Sequence, residues 1–241
     1  MKKRKDYEFC KQVFSLTDYE MNCMIYEDAL KNDHRTYCSY YLSLLRQKDL
    51  IIFSFFPMND YNSRIMKIDF FFINFTTYYA INALFFNDST IHKIHQDDGD
   101  YNFIYQLPQI IYSSFISGVI NIFLKTIALT GINIVELKQS KNMIEAKADK
   151  TKKLISNKLI SYFIISYILL LLFWYYIGCF CAIYKNTQIH LIKDSIISFG
   201  LSFIYPLFIY LLPGMFRIPA LKNEKNKREL MYQFSKIIQF F

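Results

Sequence analysis

Long runs of hydrophobic residues without a charge divide this chain, and their lengths predict membrane-spanning helices. About 20 apolar residues, at a rise of about 1.5 Å each, cross a hydrocarbon core of ~30 Å. The first run is the shortest and carries polar residues such as Asn74 and Asn82, so it needs partner helices that satisfy them. The third run gives the strongest prediction. The four predicted spans lie at residues 69–87, 104–124, 159–183 and 195–215.

A fifth apolar stretch, residues 50–59, is too short to cross the bilayer. We expect it to lie at the membrane interface or to dip partly into the bilayer, and to end at Pro57. A five-span alternative that includes this stretch stays open. The region before it is predicted to be helical. Thr17 and Glu20 form a capping-box pattern at the start of 18–30, and residues 35–48 have the pattern of an amphipathic helix.

The distribution of lysine and arginine predicts the orientation of the spans. Residues 1–67 carry eleven of them, 132–158 carry seven and 217–241 carry six. The segments 88–106 and 184–194 carry only one and two. Rich and poor segments therefore alternate, as four spans require. This alternation predicts that both termini and the central loop are cytosolic.

These patterns together predict an all-α fold, an integral membrane helical bundle of four transmembrane helices with both ends in the cytosol. Residues 1–66 form a cytosolic helical region and residues 67–216 the transmembrane domain. The cytosolic loop at 132–158 lacks Gly and Pro, so we expect it to extend the second and third spans as helices. Residues 217–241 form a basic cytosolic tail.

Composition supports a membrane protein and narrows its partners. Of the 241 residues, 53% are hydrophobic and 20% are charged, with a net charge of +8. The basic residues lie in the predicted cytosolic segments, which favours anionic lipid over nucleic acid as their partner. The five cysteines form no CxxC pair, which argues against a disulfide framework or a zinc site. We predict no cofactor, and the choice between plasma membrane and endomembrane stays open.

One predicted external loop carries weak candidates for a metal site. His92 and His95 are three residues apart, and Asp97 and Asp98 follow them directly. Such side chains can hold a divalent ion, but the spacing matches no defined metal motif. We therefore favour a solvated polar loop and predict no metal.

Polar and small residues inside the predicted spans favour helix packing. Asn74, Gln106 and Gln109 are also polar groups in or near the membrane. No Asp or Glu is centred in a predicted span, so a proton relay is not favoured. Interhelical hydrogen bonds and close contacts between small residues are the preferred interpretation. The predicted packing residues are Asn82, Ser113, Ser114, Ser117, Gly118 and Asn121.

Several strings of this chain carry a resemblance to a known family. They include INALFFNDSTIHKI and YKNTQIHLIKDSIISFGLSFIYPLFIYLLPGMFRIPAL. They resemble a family of multi-pass transmembrane proteins of unicellular eukaryotes, ciliates in particular, over about Leu16 to Leu221. Members of that family resemble the membrane-embedded C-terminal region of a longer protein, which implies that this chain is either one end of a larger protein or a shortened copy. It implies no activity and no catalytic residue.

The sequence gives two hypotheses for function. Signatures of hydrolases, kinases and intramembrane proteases are absent, so the chain is not predicted to be an enzyme. The preferred hypothesis is a non-enzymatic module that anchors or assembles other components, as a homo-oligomer or with other membrane proteins. The alternative is a subunit of an oligomeric ion channel or transporter, because four spans alone rarely enclose a pathway.

Overall fold

The computed structural model describes residues 16–56, 60–131, 133–135, 145–222 and 228–240. Every long regular element within these ranges is an α-helix, and one short 3₁₀ turn (Lys185–Thr187) joins two of them. The helices are α1 (Asp18–Cys23), α2 (Tyr26–Asn32), α3 (Tyr37–Lys48), α4 (Leu50–Phe55), α5 (Arg64–Phe85), α6 (Asp88–Gln96), α7 (Phe103–Ala128), α8 (Glu145–Ile183), α9 (Gln188–Ile209), α10 (Leu211–Lys222) and α11 (Glu229–Phe240).

The helices belong to two compact units. The terminal unit contains α1 to α4 from the N-terminal part of the chain and α10 and α11 from the C-terminal part. The spanning unit contains α5 to α8 and most of α9. Each unit has its own cluster of buried hydrophobic residues.

Three stretches of helix in the described part of the chain are long and apolar enough to cross a membrane. They contain the second, third and fourth predicted spans. Helix α5 has 22 residues and covers 69–85 of the first predicted span, which was expected to reach 87. It is not among the three stretches, because its polar residues lower its mean hydropathy. The prediction of an all-helical fold is thus confirmed for the described residues, with three stretches that could span a membrane by length and composition. These are Phe103–Val135, Asp149–Ile183 and Lys185–Lys222.

The helices of the spanning unit run in alternating directions. Asn82 near the end of α5 meets Ser113 in the first half of α7, and Asn74 meets Asn121 in the second half. These two helices are therefore antiparallel. Helix α9 packs on α5 through Phe199, whose ring lies 5.2 to 5.7 Å from three aromatic rings of α5. The aromatic contacts and polar pairs hold the helices together inside a largely apolar outer surface.

The N-terminal helices form where the sequence predicts them, with one interruption. The capping box is confirmed: Glu20 N–H donates to Thr17 Oγ1 at 3.2 Å, and Thr17 N–H donates to Glu20 Oε2 at 2.8 Å. The predicted stretch 18–30 is divided, because Met24 and Ile25 are extended and separate α1 from α2. Helix α4 ends at Phe55, and the expected role of Pro57 falls outside the described residues.

The predicted extensions of the spans also differ in detail. Helix α8 continues without a break from the central loop through the third span, as expected. Residues 136–144 of that loop lie outside the described residues. In the fourth span the helix starts at Gln188 rather than at 195, and Tyr210 separates α9 from α10. Pro206 removes one backbone donor in the turn before that break.

A buried arginine organises the terminal unit. Arg217 of α10 is 0% exposed, and its Nε and Nη2 donate to Asp33 Oδ2 at 3.1 and 2.8 Å. Its guanidinium carbon lies 5.0 and 4.7 Å from the ring centres of Tyr40 and Tyr232. Arg35 binds the same carboxylate, with its Nε 2.8 Å from Asp33 Oδ1. Charge pairing, hydrogen bonds and ring contacts together offset the cost of removing these charges from water.

The charge state of Asp33 makes the terminal unit sensitive to acid. Burial alone raises the pKa of Asp33, but the hydrogen bonds and charge of Arg35, and then of Arg217, outweigh it and hold the pKa below its ordinary value. A carboxyl whose pKa is lowered by folding stabilises the protein above its unfolded pKa of about 4. We expect the unfolding temperature in detergent to fall as the pH drops below about 4. Asp33→Asn should flatten that fall, and an equally steep fall in the variant would contradict this account.

Candidate functional site

A fully buried carboxylate lies inside the third candidate span. Asp194 of α9 is 0% exposed, seven residues into the helix. The Tyr101 hydroxyl donates to its Oδ1 at 2.6 Å, and Gln109 Nε2 donates to its Oδ2 at 3.4 Å. The Gln106 amide lies 2.6 and 2.7 Å from the two oxygens and donates to them through its nitrogen. Three neutral side chains therefore surround one carboxylate.

The local sequence explains why these side chains converge. Gln106 and Gln109 are three residues apart, so they share one face of α7 near its start. Tyr101 precedes Asn102, whose side chain caps α7 by accepting from Tyr105 N–H at 3.2 Å. This cap fixes the entry of the chain into the helix and places Tyr101 beside α9.

Neighbouring charged and titratable groups do not pair with Asp194. Lys193 Nζ lies 4.9 Å from the Tyr101 ring centre, on the ring rather than on the carboxylate. His190 Nε2 donates to the Gly99 carbonyl at 3.1 Å, and its ring stacks on Tyr101 at 5.7 Å. Within the described residues no ion pair includes Asp194. The carboxylate thus has hydrogen-bond donors but no cationic side chain.

An ionised carboxylate without a counter-charge is costly at such a position. Transfer of an isolated charge into a low-dielectric interior is so unfavourable that the group takes up a proton or a cation instead. Burial, followed by the hydrogen bond to Asp194, raises the pKa of Tyr101 far above its ordinary value. Tyr101 therefore keeps its proton at physiological pH and donates a hydrogen bond to Asp194. The negative charge of Asp194 is then neutralised by a proton or by a bound cation.

Further polar side chains continue from Asp194 along the inside of the spanning unit. Asn82 Oδ1 accepts from Ser113 Oγ at 2.7 Å and from Ser198 Oγ at 3.2 Å, so three helices meet at one buried amide. Two turns further along, Asn121 Nδ2 donates to Asn74 Oδ1. Ser198 lies one turn after Asp194 on the same face of α9. We call this set the polar column: Tyr101, Gln106, Gln109, Asp194, Asn82, Ser113, Ser198, Ser117, Asn74 and Asn121.

Several oxygens of the polar column are buried without a hydrogen-bond partner. Within the described part of the chain these are Gln109 Oε1, Ser117 Oγ and Asn121 Oδ1. Most buried polar atoms in proteins are paired, and each exception needs an explanation. A polar oxygen inside membrane helices that accepts nothing from the protein can bind water or a cation. The column therefore combines a carboxylate with a series of uncharged oxygen ligands.

No family model, curated protein or solved structure matches this chain.

The predicted packing residues divide into two groups. Asn82, Ser113, Ser117 and Asn121 are buried in the polar column, as helix packing requires. Ser114 and Gly118 are half-buried, and a Cβ added at Gly118 would meet nothing within 4 Å. Among the described residues nothing packs closely at Gly118, whereas Ser114 Oγ is buried without a hydrogen-bond partner.

The weak metal candidates are not brought together. His92 Nε2 lies 3.1 Å from Gln96 Nε2 on α6, and Asp97 forms an ion pair with Lys93 at 2.9 Å. Asp98 has a positive φ of 53° in the turn that follows. In the residues described, no group of three or more His, Cys, Asp or Glu is placed to hold a metal.

The polar residues singled out from the sequence include Gln106, Gln109 and Asn74 but not Asp194, Tyr101 or Ser198. Asp194 and Tyr101 lie just outside the predicted spans 195–215 and 104–124. One available signal was the four-residue spacing of Asp194 and Ser198, which places both on one helix face if the helix begins earlier.

Proposed function

We propose that this chain is a non-enzymatic membrane transport subunit that binds a monovalent cation at Asp194. The observation that carries the proposal is the buried carboxylate without an ion pair, surrounded by neutral donors and oxygens. Intramembrane ionisable residues commonly mark ion or proton pathways. A single carboxylate balances a single positive charge, which favours a proton or an alkali cation over a divalent metal.

The polar column supports a route rather than an isolated site. Its members lie at successive levels of α5, α7 and α9, from Asp194 past Asn82 to Asn74. Uncharged oxygens at short intervals let an ion exchange one ligand for the next. One chain offers few helices for a closed pore, so the proposal includes association of several copies or of other membrane proteins.

The transport proposal includes four spans with both ends in the cytosol, and α5 as the first span. Several polar residues of α5 are satisfied inside the protein, which membrane crossing requires. Thr76 and Thr77 donate to the carbonyls of Phe72 and Ile73 at 2.9 and 2.8 Å. Asn82 is paired within the polar column.

Thiol labelling tests whether α5 crosses the membrane. One variant keeps only the exposed Cys38 before α5, and a second has no native cysteine and carries Ser89→Cys after α5. In intact cells, we expect a membrane-impermeant maleimide to label only the second variant. Equal labelling of both without permeabilisation would exclude α5 as a span.

Flux measurements test the transport proposal directly. The full chain is reconstituted into liposomes with an internal pH dye and, in a parallel arm, an internal sodium dye. We expect a potential-driven cation flux above that of empty liposomes in one arm, which identifies the cation. Absence of flux in both arms, with a protein shown to be folded, would refute the proposal.

A second candidate function, anchoring or assembly of other membrane components, rests on α11. Its residues Leu230, Phe234 and Ile237 recur every three or four positions and are exposed, Leu230 at 86%. Such an apolar face favours packing against a helix of another protein. Chemical crosslinking of membranes tests this function. We expect crosslinked complexes with the wild-type chain and with Glu229→Gln, but not with Leu230→Glu. The same amount of complex in both variants would exclude α11 as the contact.

A further inference from the structure

A second feature of the spanning unit lies away from Asp194: a cleft lined by lysines, formed by α7 and α8. It has a volume of about 640 Å³, and Thr126 and Ile127 at the end of α7 form one side. The other side is a face of α8 whose residues recur every three or four positions. These residues are Lys150, Lys153, Leu154, Asn157, Lys158 and Ser161.

The residues that line the cleft are of a kind that favours anions. Three of its eight lining residues are lysines, and none is acidic. Thr126, Asn157 and Ser161 add uncharged hydrogen-bonding groups. Lys150 and Lys153 are exposed, so their ammonium groups can reach a ligand without breaking a buried contact. Ammonium and hydroxyl donors around a small space suit a phosphate group.

Both walls of the cleft continue as exposed apolar surface. On α8 the face goes on through Ile164, Ile168 and Leu172, which are 50–58% exposed. On α7 the face of Thr126 continues through Phe123 and Val119, also exposed. Because α7 and α8 run in opposite directions, both apolar faces extend away from the lysines toward the same end. The combined surface is cationic at one end and apolar along its length.

We propose that this lysine cleft binds the phosphate headgroup of an anionic phospholipid, with the acyl chains along the apolar faces of α7 and α8. The lysines recognise the headgroup charge, and their alkyl stems lie along the apolar wall. A soluble phosphate would use the lysines but leave the apolar faces uncovered. The continuity of charge and apolar surface therefore favours a lipid over a soluble anion.

Competition between two lipids tests this proposal. The full chain is placed in nanodiscs of phosphatidylcholine with a small fraction of phosphatidic acid, and retained lipids are counted by native mass spectrometry. We expect the wild-type chain to retain phosphatidic acid preferentially. The double variant Lys150→Gln with Lys153→Gln should weaken that retention about 25-fold. Each lysine near an anionic headgroup contributes about 1 kcal/mol, which is a factor of about five in affinity.

A matched control carries Lys152→Gln with Lys185→Gln, which removes the same charge at exposed positions outside the cleft. Retention of phosphatidic acid should change less than twofold in this control. Equal losses in the two double variants would overturn the proposal, because the preference would then reflect overall charge. Displacement of phosphatidic acid by an equal concentration of inorganic phosphate would also overturn it, in favour of a soluble anion. All four exchanged lysines are exposed, so both variants should unfold at the wild-type temperature.

Discussion

Asp194→Asn is expected to reduce cation flux through the reconstituted protein by about a hundred- to a thousandfold. The asparagine side chain has nearly the same shape as aspartate but no charge. Its amide oxygen can still accept the hydrogen bond of the Tyr101 hydroxyl, which lies 2.6 Å from the carboxylate oxygen in the wild-type protein. A charge pair at 4 Å with an effective dielectric constant of 20 is worth about 4 kcal/mol, or roughly a factor of a thousand in occupancy. The liposome assay with a pH or sodium dye measures the loss.

Asp88→Asn provides the matched control. Asp88 is exposed at the start of α6 and has no part in the polar column, so flux should stay within twofold of wild type. The unfolding temperature of the Asp194→Asn protein must also stay close to wild type or rise, because the substitution removes a buried charge. Wild-type flux in a folded Asp194→Asn protein would show that transport does not require this carboxylate.

Arg217→Met is expected to destabilise the protein by about 3–5 kcal/mol, the usual cost of removing one partner from a buried ion pair. Methionine fills part of the volume but donates nothing to Asp33 or to the Met21 carbonyl, which Arg217 Nη2 reaches at 2.8 Å. It also loses the cation contacts with Tyr40 and Tyr232. Because Asp33 keeps its hydrogen bonds to Arg35, we expect the loss of stability to lie near the lower end of this range, at about 3 kcal/mol.

The comparison for this prediction is Arg46→Met. Arg46 has a side chain that is 60% exposed and lies 4.0 Å from Asp18, so its removal should cost less than about 1 kcal/mol. Unfolding in detergent, followed by helical circular dichroism, measures both variants under the same conditions. Equal destabilisation of the two would show that the buried cluster contributes nothing beyond an ordinary surface charge.

Local patterns predicted the helices well because their causes are local. The charge-free run at 159–183 became part of α8, and the Thr17–Glu20 pattern became a capping box. The loop at 132–158 lacks helix breakers, and the part of it from Glu145 onward is helical. In each case the residues that determine the structure lie within a few turns of one another.

The pattern that predicts the spans does not predict a carboxylate buried within them, because it consists of runs without a charged residue. A run without charge ends where a charged residue occurs, so Asp194 lies at the boundary of the fourth predicted span rather than inside it. The structure starts α9 at Gln188, so Asp194 lies inside the helix. Tyr101 reaches it from 93 positions earlier in the sequence. The sequence pattern places Arg217 in the basic cytosolic tail, 217–241, and does not reveal its buried partner Asp33, which is 184 residues away.

The length of α8 has a mechanical consequence. Its 39 residues form a rod of about 58 Å at 1.5 Å per residue, nearly twice the ~30 Å of the hydrocarbon core. It contains no proline, and its only glycine, Gly178, lies near its C-terminal end. A rod without a hinge transmits tilt along its length. A torque applied to its lysine-rich end, by lipid or by protein, must therefore also move Tyr162, whose side chain is fully buried.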